Sequence, residues 1–359
     1  MPSHRHLTAA YWLLLLNVSA LAQPPALDPL TNRVHALERL VKQLQAERGR
    51  ATWDDYGCVP DDPKVDNGPL LSRILAEQGR SIGVAPVGNA RDYFVSTTIV
   101  WPKRNGGALL GAGGYTGMLR SRNPGVTRLI WNGPPGVPMI DYWAAGGRIS
   151  QLVIQGALAA TSKNAAIGIL VESDKGPPTA KLVTDQVTLA NLDVGIKCVD
   201  YPRPLWAAQV THYAMIFHNV RIPYWVDNRQ SMCHTFFKVD FRNGYEQALR
   251  FDQGGALNIY GCYVGQCDAG TLLYLGRTDS GTGVYEIQGL QVDGNAKNLR
   301  MVDHGKFTCR VRISGSYSIT AKRNGLADPI VLERDGPSRY NDVRIDCTNG
   351  VQWPKRGEP

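Results

Sequence analysis

From Trp53 onward the chain alternates apolar and polar residues in short runs, each closed by Gly, Asn or Asp. "RISQLVIQG", "DQVTLANLDVG", "AMIFHNVRIP", "LNIYGCYVG", "YEIQGLQVDG" and "CRVRISGSYS" are examples, and each reads as a strand of period two followed by a turn. A second series of runs ends differently, on a charged residue after bulky apolar ones. Glu172 in "ILVESDK", Asp200 in "KCVDYPR", Asp227 in "YWVDNRQ", Asp252 in "LRFDQGG", Arg277 in "LYLGRTD" and Asp303 in "LRMVDHGK" follow one another at intervals of 25 to 28 residues. Two interleaved strand series at that interval predict stacked coils over residues 51–350, because a propeller blade needs about 40 residues or more and a jelly roll does not repeat. The expected fold is all-β: a single-stranded right-handed parallel β-helix, with each coil pairing to the next at about 4.8 Å.

The N-terminal part follows other periods. "MPSHRHLTAAYWLLLLNVSALA" has a basic start, an apolar centre and a small-residue end, the layout of a cleaved secretory signal over residues 1–22. Its apolar core is too short for a comfortable membrane span, so no transmembrane anchor is expected after cleavage. Leu27, Leu30, Val34, Leu37, Val41 and Leu44 then recur in steps of three and four. That heptad spacing, inside a linker and helical segment at 23–50, reads either as a coiled-coil-like stem joining copies into a homotrimer through residues 27–47, or as a single helix covering the main domain. Fewer than three heptads do not hold an isolated helix together, so the stripe needs a partner. Residues 351–359 read as a tail.

The stretch "WDDYGCVPDDPKVDNGPLLSRILAE", with "GVAPVGNARDYFVSTTIV" and "GGALLGAGGYTG" after it, resembles the opening region of the pectate-lyase-like superfamily, in particular its rhamnogalacturonase-like and phage tail-spike members. Asp55-Tyr56-Gly57 matches that family's D-Y-G, and Asp62 to Asn67 stands where its acidic turn falls, without the turn's glycine. Leu70, Leu71, Ile74 and Leu75 supply the apolar face of a capping helix, and Gly107 to Gly114 resembles a first-coil turn. The resemblance covers about 60 residues, and the later coils match only in rhythm. It implies the right-handed parallel β-helix and no single activity, since one fold carries many reactions.

If the charged column is in register, Asp227 and Asp252 stand one coil apart, about 5 Å, and Asp252 and Asp303 two coils apart, about 10 Å. Hydrolysis of a glycosidic bond needs two carboxyl groups at roughly 5 Å or at roughly 6.5 to 9.5 Å, so Asp227, Asp252 and Asp303 are candidate catalytic residues. Elimination from a uronate needs positive charge at the carboxylate and a base at C5. Arg277 joins the catalytic candidates on that account, and Asp200, Trp225, Arg229, Arg250 and His304 are candidate substrate contacts. Calcium is the cofactor a lyase would call for if stacked Asp side chains supplied its oxygen ligands. The competing reading is ordinary turn chemistry, since Asp, Asn and Gly collect where strands pass into turns.

Composition narrows the setting. With 43% hydrophobic and 19% charged residues among 359, the chain can bury a substantial core. The formal charge of +8 falls by one when Arg5 leaves with the signal, and a basic exported β-helix attracts polyanions. Acidic polysaccharide is therefore the expected partner; no nucleic-acid module is present to favour nucleic acid. Trp143, Tyr201, Trp206, Tyr224, Trp225 and Tyr274 are aromatic candidates for stacking on sugar rings. The seven cysteines form no C-x-x-C pair, and in a repetitive β core most are expected as small buried hydrophobes. The sequence thus points to a secreted, periplasmic or cell-surface polysaccharide lyase or glycoside hydrolase, with a non-catalytic adhesion or structural β-helix as the alternative.

Overall fold

The computed structural model describes residues 37–40 and most of residues 51–349. Outside the description are 1–36, 41–50 and 350–359, the internal stretches 115–124, 158–164, 173–180, 200–208, 266–269, 277–282, 294–298, 318–329 and 334–341, and some shorter ones. The chain divides into two compact units, residues 1–50 and 51–359. In the first, residues 37–40 are helical, with Leu37 and Leu40 exposed. The expected signal and the rest of the stem lie outside the described residues. No helix among the described residues is long and apolar enough to cross a membrane.

The second unit opens with a single 3-10 turn, Asp54–Tyr56, and a helix, Gly68–Glu77, whose Leu71, Ile74 and Leu75 are buried against the first strands. The acidic turn before this helix is structural. Asp66 accepts hydrogen bonds from the backbone of Gly68 and Ser96, and the buried Asn67 side chain bridges Val59 and Phe94.

Every strand after that pairs in parallel with the strand one coil away, so the fold is a parallel β-helix with three sheets. The first sheet starts at Asn105–Leu110 and continues through the leading halves of Gly146–Gln155, Lys181–Val199, Gln209–Asp227, Cys233–Arg242, Leu257–Gly265 and Gly283–Asp293. The second starts at Asp92–Val95 and Arg128–Trp131, then runs through the trailing halves of Gly146–Gln155, Cys233–Arg242, Leu257–Gly265 and Gly283–Asp293 and the middle of the two longest strands. The third holds Ile99–Trp101, Pro138–Tyr142, Ile167–Glu172, the ends of Lys181–Val199 and Gln209–Asp227, then Gln247–Phe251, Thr271–Leu275, Arg300–His304 and Ile330–Glu333.

Strands as long as Lys181–Val199 belong to all three sheets because single left-handed residues bend them. The corner between the first and second sheets is a column of such residues: Gln151, Gln186, Ala214, Lys238, Gly261 and Gly289, with φ from 49° to 81°. The corner between the second and third is Asn191, Asn219 and Asn243, at 51° to 54°. Asn tolerates this conformation and its amide satisfies its neighbour: Asn219 Nδ2 donates to Asn191 Oδ1 at 2.9 Å. Between corners, side chains alternate strictly. Val226, Phe251, Leu275 and His304 form one inward row, and Phe217 stacks on Phe241 at 5.4 Å in another. Among the described residues, Cys58, Cys198, Cys262 and Cys309 are buried and Cys233 is exposed.

One part of the core is polar. His234 lies between the hydroxyls of Tyr224, 2.6 Å from Nδ1, and Ser231, 2.9 Å from Nε2. His212 meets Thr184 at 2.6 Å through Nδ1, while its Nε2 has no hydrogen-bond partner among the described residues. Burial pushes the His234 pKa down to about 4, and burial with His234 nearby holds His212 well below its ordinary value. The unfolded chain protonates both rings near the ordinary value of about 6.5. Folded stability is therefore full above that pH and falls as pH drops toward about 4, because the unfolded state binds protons the native state refuses. Thermal melts from pH 7.5 to 4.5 should show the midpoint falling through this window, and the fall should be shallower in His212→Gln.

Candidate functional site

On the third sheet the residues between inward positions face outward, and the parallel register stacks them coil on coil. One outward row reads Lys197, Trp225, Arg250, Tyr274 and Asp303 on successive coils. The row two residues further on reads Val199 and Asp227, then Asp252 and Gly276, the backbone N–H of Asp252 donating to Val226 O and that of Gly276 to Phe251 O. A cation and an aromatic ring thus alternate through four coils at about 4.8 Å per step.

The side chains interlock. The Lys197 ammonium lies 3.9 Å from the centre of the Trp225 ring. The Arg250 guanidinium lies 4.4 Å from the same ring centre and 5.5 Å from that of Tyr274. Such contacts contribute about 0.5 to 2 kcal/mol each, depending on desolvation. Asp252 ties the group together: its Oδ2 accepts from Arg250 Nε at 2.7 Å and from Trp225 Nε1 at 2.8 Å. Gly276 makes room for this, since a Cβ there would meet Asp252 Oδ1 at 2.3 Å and the Tyr274 ring at 2.8 Å. Tyr274 consequently lies across Gly276. Asp227, one coil from Asp252, is half-buried and receives no hydrogen bond from a described residue. Burial lowers the Lys197 pKa; Asp227 pulls it back up, and Arg250 adds to the lowering.

The structure brings Asp227, Asp252, Trp225 and Arg250 onto one face and separates the rest of the expected column. Val199, not Asp200, is opposite Asp227. Gly276, not Arg277, follows in the row of Asp252. Asp200, Arg229 and Arg277 themselves lie outside the described residues, as do Tyr201 and Trp206. Asp303 pairs with Tyr274 rather than continuing the carboxylate row, and it is 5% exposed, with Arg300 at 3.9 Å. His304 is a correction: it occupies the inward row with Phe251 and Leu275, fully buried, its Nδ1 donating to Gly305 O. Tyr224 is likewise a core residue. The physical reason is loop length, which varies from coil to coil, so counting from one apolar-to-acid step to the next slips the register.

Sequence reasoning missed Lys197. The available signal was its place two residues before the end of the strand, where Trp225 also stands in relation to Asp227. Calcium would find two carboxylates in this row, one already neutralised by Arg250. No three His, Cys, Asp or Glu side chains gather as a metal site among the described residues, short of the six or more oxygens calcium takes.

No protein-family model matches the chain, and no curated protein matches it. Among solved structures it is similar to Pantoea stewartii WceF, a glycan biofilm modifying enzyme with a tailspike-like parallel β-helix, at 11% identity and TM-score 0.47 over 77% of this chain and 39% of that one. It is also similar to the phiAB6 tailspike solved with oligosaccharides of Acinetobacter baumannii surface polysaccharide, at 14% identity and TM-score 0.34, covering 86% and 49%. Bacteriophage CBA120 tailspike protein 3 aligns at 12% identity and TM-score 0.35 over 88% of this chain and 65% of its own. The chain therefore spans well under two thirds of the first two structures, and its fold rests on its own strand register.

The two carboxylates should respond differently to substitution. Asp252→Ala removes two hydrogen bonds and frees a half-buried guanidinium, for an expected loss of about 1 to 2 kcal/mol in a chemical-denaturation series. Asp227→Ala, which breaks no hydrogen bond to a described residue, should stay within about 0.5 kcal/mol of the parent.

Proposed function

We propose that the chain binds an acidic polysaccharide along the outer face of the third sheet and opens it by β-elimination, acting outside the cell or at its surface. The observation that carries this is the alternation of Lys197, Trp225, Arg250 and Tyr274, one per coil. Aromatic rings take the apolar faces of sugars, and the cations between them take carboxylates. A glycan lying along the coil axis meets one such group at every step.

Elimination fits the face better than hydrolysis. Hydrolysis needs two carboxyl groups free to exchange protons, and Asp252 is committed to Arg250 and Trp225. Elimination needs positive charge at the uronate carboxylate, which Arg250 supplies, and a base. Lys197, whose pKa burial lowers against the opposing pull of Asp227, is the group nearest that requirement, and in that role it is neutral and leaves the carboxylate to Arg250. We also infer that residues 27–47 join copies of the chain; deleting them should lower the sedimenting mass of the purified protein.

The test is incubation of the purified chain with acidic and neutral polysaccharides, following unsaturated-uronate absorbance, reducing ends and binding together. Binding to acidic glycans with both product signals is the expected result, and Trp225→Ala should weaken that binding by about tenfold. Reducing ends without absorbance would replace elimination by hydrolysis. Binding without either signal would make the chain a non-catalytic glycan-binding protein, and no binding across the panel would remove the proposal.

A further inference from the structure

The group on the third sheet has a counterpart on the second, built from the same two consecutive coils. On the third sheet, Arg250 and Asp252 sit two residues apart on one coil, and Tyr274-x-Gly276 crosses them on the next. On the second sheet, Asp240 and Arg242 sit two residues apart on one coil and Tyr263-x-Gly265 crosses them on the next, with the two charges in the opposite order, so that Tyr263 is opposite Asp240 and Gly265 opposite Arg242. The dimensions agree. The Arg–Asp contacts are 2.7 and 2.6 Å, each Arg lies 5.5 Å from the centre of its Tyr ring, and the two guanidinium side chains are 27% and 28% exposed. In both, the tyrosine ring lies across the glycine two residues on, where a Cβ would meet the ring at 2.7 to 2.8 Å.

The coil before each group also corresponds. Trp225 is the register neighbour of Arg250, and His218 is the register neighbour of Arg242. His218 is outward and half-buried, and no described residue hydrogen-bonds its ring. Burial first, then Arg242, holds its pKa below the ordinary value, so a flat neutral ring stands where the third sheet has its indole. On the far side, the Tyr263 hydroxyl donates to Asp293 at 3.3 Å, which fixes the ring over Gly265.

We propose that Arg242, Tyr263 and His218 form a second acidic-sugar site on the second sheet, separate from the one on the third and taking the same class of ligand. This rests on the acidic-glycan reading of the third sheet, whose Arg–Asp pair crossed by Tyr-x-Gly it shares. Arg242, oriented by Asp240, grips a sugar carboxylate; Tyr263 offers its ring face, and His218 a hydrogen bond at the sugar's edge. The two sites flank the corner at Asn243 and Gly244, so a long glycan strand engages both, or two strands engage one each, and attachment to a polymer exceeds attachment to a short oligomer.

Calorimetric titration of the whole chain with uronate trisaccharides (galacturonate, glucuronate and mannuronate series) tests this. The expected stoichiometry is two per chain, falling to one in Arg242→Ala, to one in Arg250→Ala and to none in the double variant. Affinity for the parent polymer should fall by about 10²-fold in Arg242→Ala as avidity is lost. Tyr263→Ser leaves the Asp240–Arg242 pair in place and should also remove one of the two binding events, so a folding defect in Arg242→Ala does not decide the matter. One trisaccharide per chain, lost in Arg250→Ala and unaffected by Arg242→Ala and Tyr263→Ser, would overturn the second site and leave the third-sheet reading standing. No binding by the parent chain would overturn both.

Discussion

The coil-to-coil hydrogen-bond ladder is the constraint on which everything else here depends. Parallel pairing fixes each residue opposite one residue of the next coil, and the strand's period of two then decides which side chains enter the core. An inward residue is inward on every coil. An outward residue becomes part of a row about 4.8 Å in pitch, whatever its chemistry. The left-handed corner residues preserve this order around each bend: Gln186, Ala214 and Lys238 all turn at the same place, as do Asn191 and Asn219.

The proposed function follows from what the outward rows carry. Stacking puts Lys197, Trp225, Arg250 and Tyr274 into contact although 23 or more residues separate each from the next. Asp252 holds Trp225 and Arg250 in one geometry, so the face is ordered before a ligand arrives and less side-chain entropy is lost on binding. The same logic applies around the corner, where Asp240 fixes Arg242 beside Tyr263. Glycines at 265 and 276 contribute by what they lack, since each leaves the space over which a tyrosine ring lies flat.

The core has a second character that the outer rows do not share. His212 and His234 replace apolar residues inside the coils, and hydroxyls of Thr184, Tyr224 and Ser231 satisfy three of their four ring nitrogens. Burial keeps both rings neutral, which ties the integrity of these central coils to pH.

The period of alternating runs was enough to define coils, strands and a continuous core, because inward alternation is a local property that each strand states for itself. "CRVRISGSY" and "LNIYGCYVG" could be read as half-buried strands without knowing their partners, and they are. Asp227, Asp252, Trp225 and Arg250 could likewise be placed near one another, since the interval between their coils is short and regular. The register beyond them could not be read. The segments joining coils differ in length, so Asp303 matches Asp252 by count and Tyr274 by hydrogen bonding, and His304 next to it turns inward. Lys197 and the second-sheet group became visible only when the ladder aligned them, because contact between coils depends on pairing and leaves no local mark in the chain.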